Sequence, residues 1–121
     1  MRRRAGWRLS LIHISISAGT LNANASAALG DGSATNTLIF TGGTLQAGGT
    51  ITSPSTRTVT LTSTGLIDTN GNSLSIAGVI SGSGGLTKNG TGTLILTAAN
   101  TYNGASTINS GGITLLSLIH I

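Results

Sequence analysis

Between Ser15 and Leu115 the apolar side chains come in short runs that alternate with polar ones, and each run is closed by glycine, asparagine or serine. A period of two places every second side chain on one face, which is strand geometry, and the closing residues suit tight turns with positive φ. Thr37-Leu38-Ile39-Phe40, Thr44-Leu45-Gln46 and Thr50-Ile51-Thr52 read as three strands parted by Gly42-Gly43 and Gly48-Gly49. The longest alternating strand follows, Arg57-Thr58-Val59-Thr60-Leu61-Thr62, with Val59 and Leu61 inward. Pro54 sits in the turn before it, where a missing backbone donor does no harm. Gly65 to Asp68, a turn at Thr69-Asn70-Gly71-Asn72, the strand Ser73-Leu74-Ser75-Ile76 and then Val79-Ile80 continue the pattern. Helix has room only over residues 23–29, hemmed in by Asn22, Asn24 and Gly30.

Such runs need something to bury against, and this chain has little bulk to offer. Gly, Ser, Thr and Asn make up 63 of the 121 residues, and Trp7, Phe40 and Tyr102 are the three aromatics. Disorder would bring low hydrophobicity and high charge, whereas 38% of this chain is apolar and 7% charged. Few residues could fill the middle of a globular core, but thin coils stacked on one another bury small apolar residues in ladders. One residue from each strand gives three rows with solenoid spacing: Leu38, Val59, Ile80 and Tyr102; Leu45, Leu66, Leu86 and Ile108; Ile51, Leu74, Leu94 and Ile113. Three rows imply an all-β parallel solenoid with triangular coils of about 20 residues. Asn70, Asn89 and Asn109 keep a similar spacing, either as an amide ladder up the stack or as separate turn residues.

The last third carries the most specific pattern. Gly85-Leu86-Thr87-Lys88-Asn89-Gly90-Thr91-Gly92-Thr93-Leu94-Ile95-Leu96, followed by Asn100-Thr101-Tyr102-Asn103-Gly104, resembles the passenger-associated transport repeat of bacterial autotransporters. The resemblance implies a right-handed parallel β-helix, a structural segment of an adhesin-like passenger. Its place would be outside a Gram-negative cell, attached to the outer membrane through the parent protein by type V secretion. It further implies partners in neighbouring β-helix repeats and a C-terminal translocator barrel absent from this chain, with any host or cell-surface ligand undefined. The absence of cysteine suits a chain that crosses an oxidising compartment unfolded.

Both ends stand apart. Leu-Ser-Leu-Ile-His-Ile occurs at residues 9–14 and again at 116–121, with different flanks and without the punctuation of the interior. The hexapeptide also resembles translated sequencing-adapter sequence. Residues 1–14 are therefore expected to be an artefactual or disordered extension, 15–115 the β-helix passenger segment and 116–121 an artefactual tail. Ile16-Ser17-Ala18-Gly19, echoed by Ile108-Asn109-Ser110-Gly111, reads as the end of a preceding repeat. Arg2, Arg3, Arg4 and Arg8 supply the whole net charge of +4, so the basic balance carries no argument for nucleic acid. Residues 1–19 imitate a signal peptide, but Trp7-Arg8 and His13 interrupt the apolar run.

No catalytic, cofactor-binding or metal-ligating residue is nominated. The acids are Asp31 and Asp68 alone, about two coils apart by the spacing, which is poor geometry for a polysaccharide-degrading β-helix. Both histidines lie in the duplicated hexapeptides, and a lone Gly30-Asp31-Gly32 lacks the successive array that calcium-binding solenoid repeats need. A carbohydrate- or ice-binding solenoid is the alternative reading, from the outward Thr58, Thr60 and Thr62 with Thr50, Thr52, Thr91 and Thr93. Such an array needs threonine pairs in register on consecutive coils, and Val79-Ile80 interrupts the Thr58 row.

Overall fold

In a computed structural model the chain is described over residues 12–30 and 36–115. Thirteen strands follow one another: Ile12–Ile16 (β1), Thr20–Ala23 (β2), Asn36–Phe40 (β3), Thr44–Ala47 (β4), Ile51–Ser53 (β5), Thr58–Leu61 (β6), Gly65–Asp68 (β7), Ser73–Ile76 (β8), Ile80–Ser81 (β9), Leu86–Asn89 (β10), Thr93–Leu96 (β11), Ser106–Ile108 (β12) and Gly112–Leu115 (β13). Every pairing is parallel, and every pairing joins one coil to the next. Three sheets result, ordered β1-β3-β6-β9, β2-β4-β7-β10-β12 and β5-β8-β11-β13. The molecule is a three-sided parallel β-solenoid of about 5 turns, each of about 21 residues.

Alternation within each strand decides what enters the core. In β3 the exposure runs buried, intermediate, buried, intermediate, buried, and in the same way β8 places Leu74 and Ile76 inward and β11 places Leu94 and Leu96 inward. Leu38, Val59 and Ile80 stack in the first sheet, and Ile51, Leu74, Leu94 and Ile113 in the third, as the spacing predicts. The second-sheet row differs. Leu45 pairs with Ile67, Ile67 with Lys88 and Lys88 with Ile108, so Leu66 faces outward and Leu86 belongs to a neighbouring inward row across from Gly65. Leu66-Ile67 offered two adjacent apolar candidates, and the alternation of β7 selects the second.

Tyr102 is also displaced from its expected place. Thr101 N donates to Ile80 O and Asn103 N to Gly82 O, so Asn100 stands across from Ile80 and Tyr102 across from Gly82. Asn100 satisfies the strand below it, its Oδ1 accepting from Ile80 N at 2.8 Å. Asn100 Nδ2 is left without a partner, the one such buried side-chain atom among the described residues.

The first coil departs from the others. Its third side is a 3₁₀ turn, Ser26–Leu29, within the stretch where the sequence allows a helical turn, and Leu29 is fully buried. Asn22, which bounds that stretch, lies in β2. Strand β1 begins three residues before Ser15 and pairs with β3 along its whole length, so the coil includes part of the first duplicated hexapeptide. Residues 1–11 and 116–121, the remainder of both expected extensions, lie outside the described residues, as does Asp31. The echo of Ile16-Ser17-Ala18-Gly19 at 108–111 marks similar corners in different sheets: Gly19 and Gly111 have φ of 70° and 66° at the ends of first- and second-sheet strands.

Leu94 is fully buried and paired with Leu74 on one side and Ile113 on the other, whereas Thr93 is partly exposed. Leu94→Ala is expected to cost about 2–5 kcal/mol through lost transfer free energy and a cavity. Thr93→Ala should cost at most about 1 kcal/mol. Urea unfolding followed by circular dichroism checks this, and equal midpoints for the two variants would contradict the assigned faces.

Candidate functional site

Two columns of outward side chains run the length of the second sheet. Thr20, Thr44, Leu66, Thr87 and Thr107 form one. Asn22, Gln46, Asp68 and Asn89 form the other, extended by Asn109, whose Nδ2 donates to Asn89 Oδ1 at 2.8 Å. Asn22 Nδ2 donates to Gln46 Oε1 at 2.8 Å, and Gln46 Nε2 to Asp68 Oδ2 at 3.1 Å. Of the two readings of Asn70, Asn89 and Asn109, the ladder holds for the last two and the separate turn residue for Asn70. Asp68 takes the place given to Asn70, because Asn70 has left the strand for a left-handed turn, φ 51°, in which its N–H donates to Asp68 Oδ1 at 2.9 Å.

Two cations point into the stack. Arg57 is 1% exposed: its Nε donates to Asn36 Oδ1 at 2.7 Å, Nη1 to Ser26 Oγ and Ser53 Oγ, and Nη2 to Ser26 O and Gly30 O. It fastens the 3₁₀ turn of the first coil to the corner before β6. Asn36 Nδ2 donates onward to Leu29 O at 3.0 Å, joining that amide to the same cluster. Lys88 occupies the inward second-sheet row between Ile67 and Ile108, and its Nζ donates to Asn89 O at 2.8 Å and Gly90 O at 2.7 Å. The sequence signal for both was parity: Arg57 is in phase with Val59 and Leu61, and Lys88 with Leu86.

The chemistry required for an enzyme or a metal centre is not assembled by these contacts. Asp68 is engaged by Gln46 and Asn70, His13 lies exposed in β1, and no group of three or more His, Cys, Asp or Glu side chains comes together among the described residues. Thr37 Oγ1 and Thr58 Oγ1 stand 3.2 Å apart on the first sheet, but the next outward position is Val79, 38% exposed. At the other end of the stack, among the described residues, β12 and β13 each pair on one side only, with β10 and β11. Ile108 and Leu115 are exposed there, beside an open groove they line with Tyr102, Ser106 and Ile113. Among the described residues no helix is long and apolar enough to cross a membrane.

The described residues thus form a three-sided solenoid of stacked coils with a polar column on its second sheet and glycine at many corners. Residues 86–115 match the family model of the passenger-associated-transport-repeat. Over 83 residues, 65% of this chain, the sequence is 45% identical to the adhesin BmaC autotransporter of Brucella suis biovar 1 (strain 1330). The chain spans about 2% of that relative's length. No solved structure matches it. The chain therefore contains an autotransporter passenger repeat, set in a β-solenoid.

Burial pushes the Lys88 ammonium below the ordinary lysine range, and the nearby Asp68 carboxylate opposes this in part. A lowered folded-state value means that the unfolded chain holds more protons in the window beneath the ordinary value of about 10.5, so stability rises with pH across it. Urea midpoints are expected to climb as pH is raised toward that value in the parent chain. The climb should be absent from Lys88→Met. A parallel pH dependence in the two proteins would place the titration on another group.

Proposed function

We propose that the chain is a coil-stacking segment of an adhesin-like autotransporter passenger displayed outside a Gram-negative cell, where it carries the β-helix onward and supports export. The observation that carries this reading is the open end formed by β12 and β13, with Ile108 52% exposed beside unpaired strand edges. An apolar edge of this kind is satisfied by another coil, which supplies both backbone partners and side chains for the groove. Neighbouring repeats of the parent are thus its partners, with the translocator barrel at a distance. The role is that of a scaffold rather than an enzyme.

Export follows from the same physics. A coil that has stacked outside the membrane is held by parallel backbone bonds and buried leucine and isoleucine rows, and sliding back would break both. The cysteine-free sequence leaves the chain able to pass a pore without disulfide loops. Two measurements test the reading. Placed between further passenger coils ahead of a barrel, the chain should reach the surface, judged by protease added outside the cells, and Leu94→Ala should reduce the amount that does. The isolated chain should associate with rising concentration by light scattering, and added terminal coils should suppress this. Equal surface yields for the two proteins would remove the export role, and a monomer at high concentration would remove the stacking role.

A further inference from the structure

Side-chain facing has a period of two, so a parallel coil displaced by two residues keeps its inward and outward faces. Apolar rows alone give the last coil little protection from such a slip. In the third sheet Ile113 and Leu115 are both apolar, and in the second Ser106, Ile108 and Ser110 share one parity. One inward side chain beneath that coil is not apolar. Lys88 is fully buried, its Nζ bonded to the two carbonyls of its own corner and within 3.4 Å of Ser110 O in the next coil. Gly111, φ 66°, closes over it: a Cβ there would stand 2.7 Å from Gly90 O and 2.8 Å from Lys88 Nζ and would strike Gly92 O.

We propose that Lys88 is a register key, admitting as the following coil one whose corner brings an inward carbonyl and a left-handed glycine, here Ser110-Gly111, over the ammonium. A slip by two residues would set Ser106 or Ser110 across from Lys88 in place of Ile108. Ser110 O would move off the ammonium, and the glycine would no longer lie where a side chain cannot fit. A buried ammonium short of acceptors is costly, whereas an apolar residue at position 88 would tolerate either register. The partner is thereby specified by its backbone as well as by its apolar rows. This deepens the stacking role in the proposed function and is independent of export.

Amide hydrogen exchange and resonance counting on the full chain test it. Lys88→Met is expected to fold with an unchanged or higher urea midpoint, since a buried charge has gone. Its amides over residues 106–115 should appear as doubled resonances or lose about tenfold in protection, while β6 and β7 keep theirs. A single resonance set with parental protection over 106–115 overturns the proposal. So does an even loss through all coils, which would make Lys88 a packing residue only. If Lys88→Met fails to fold, two glycine variants decide. Gly19 has nearly the same φ as Gly111, 70° against 66°, but among the described residues a Cβ on Gly19 meets nothing within 4 Å. Gly111→Ala should therefore lower the midpoint more than Gly19→Ala and loosen residues 106–115, and equal losses would refute the key.

Discussion

A coil of this chain cannot satisfy its own backbone. Its strands lie on three different sides, so each N–H and C=O of a strand finds its partner along the axis, in the coil before or after. Burial obeys the same rule: Leu94 depends on Leu74 below and Ile113 above, and none of the three would be covered in an isolated turn. Stability in such a molecule is a sum of interfaces between neighbours rather than the property of one central core. The corners must then be tight enough to keep the pitch, which is why glycine recurs where strands change sheet.

Charges inside the stack are tolerated because corners turn carbonyls inward. Lys88 and Arg57 use this in different ways. Arg57 spreads its donors over an amide, two hydroxyls and two carbonyls, and so builds a substitute for the strand that the first coil lacks on its third side. Lys88 keeps to carbonyls at the junction of the last two coils. Replacing either by an apolar residue of similar size need not lower stability, since a buried charge offsets its desolvation only through good geometry. Their value lies in making one arrangement of neighbouring coils better than its competitors.

Most of the architecture was legible in the sequence because alternation and punctuation agree. Strands β3, β4, β8 and β11 follow directly from them, as do the first three members of the first-sheet row and all of the third-sheet row. Legibility failed where two apolar residues stood side by side, as at Leu66-Ile67, and where an irregular corner shifted the count, as between Ile80 and Tyr102. Asp68 was missed as a rung of the polar column because asparagine spacing alone favoured Asn70. The buried cations were visible in parity, yet the Lys88 acceptors and two of those of Arg57 are main-chain carbonyls, and no side chain in the sequence announces where those point.

Because each coil touches only its neighbours, tension applied along the axis has a different meaning here than in a globular domain. Every interface bears the load in series, but the terminal coil, held on one side only, can peel away, its parallel bonds breaking side by side in succession around the triangle. A detached turn of about 21 residues then releases roughly 70 Å of extended chain against the ~5 Å it occupied in the stack. A surface filament made of such coils would absorb a pull in steps, giving up length turn by turn while the rest of the column stays folded.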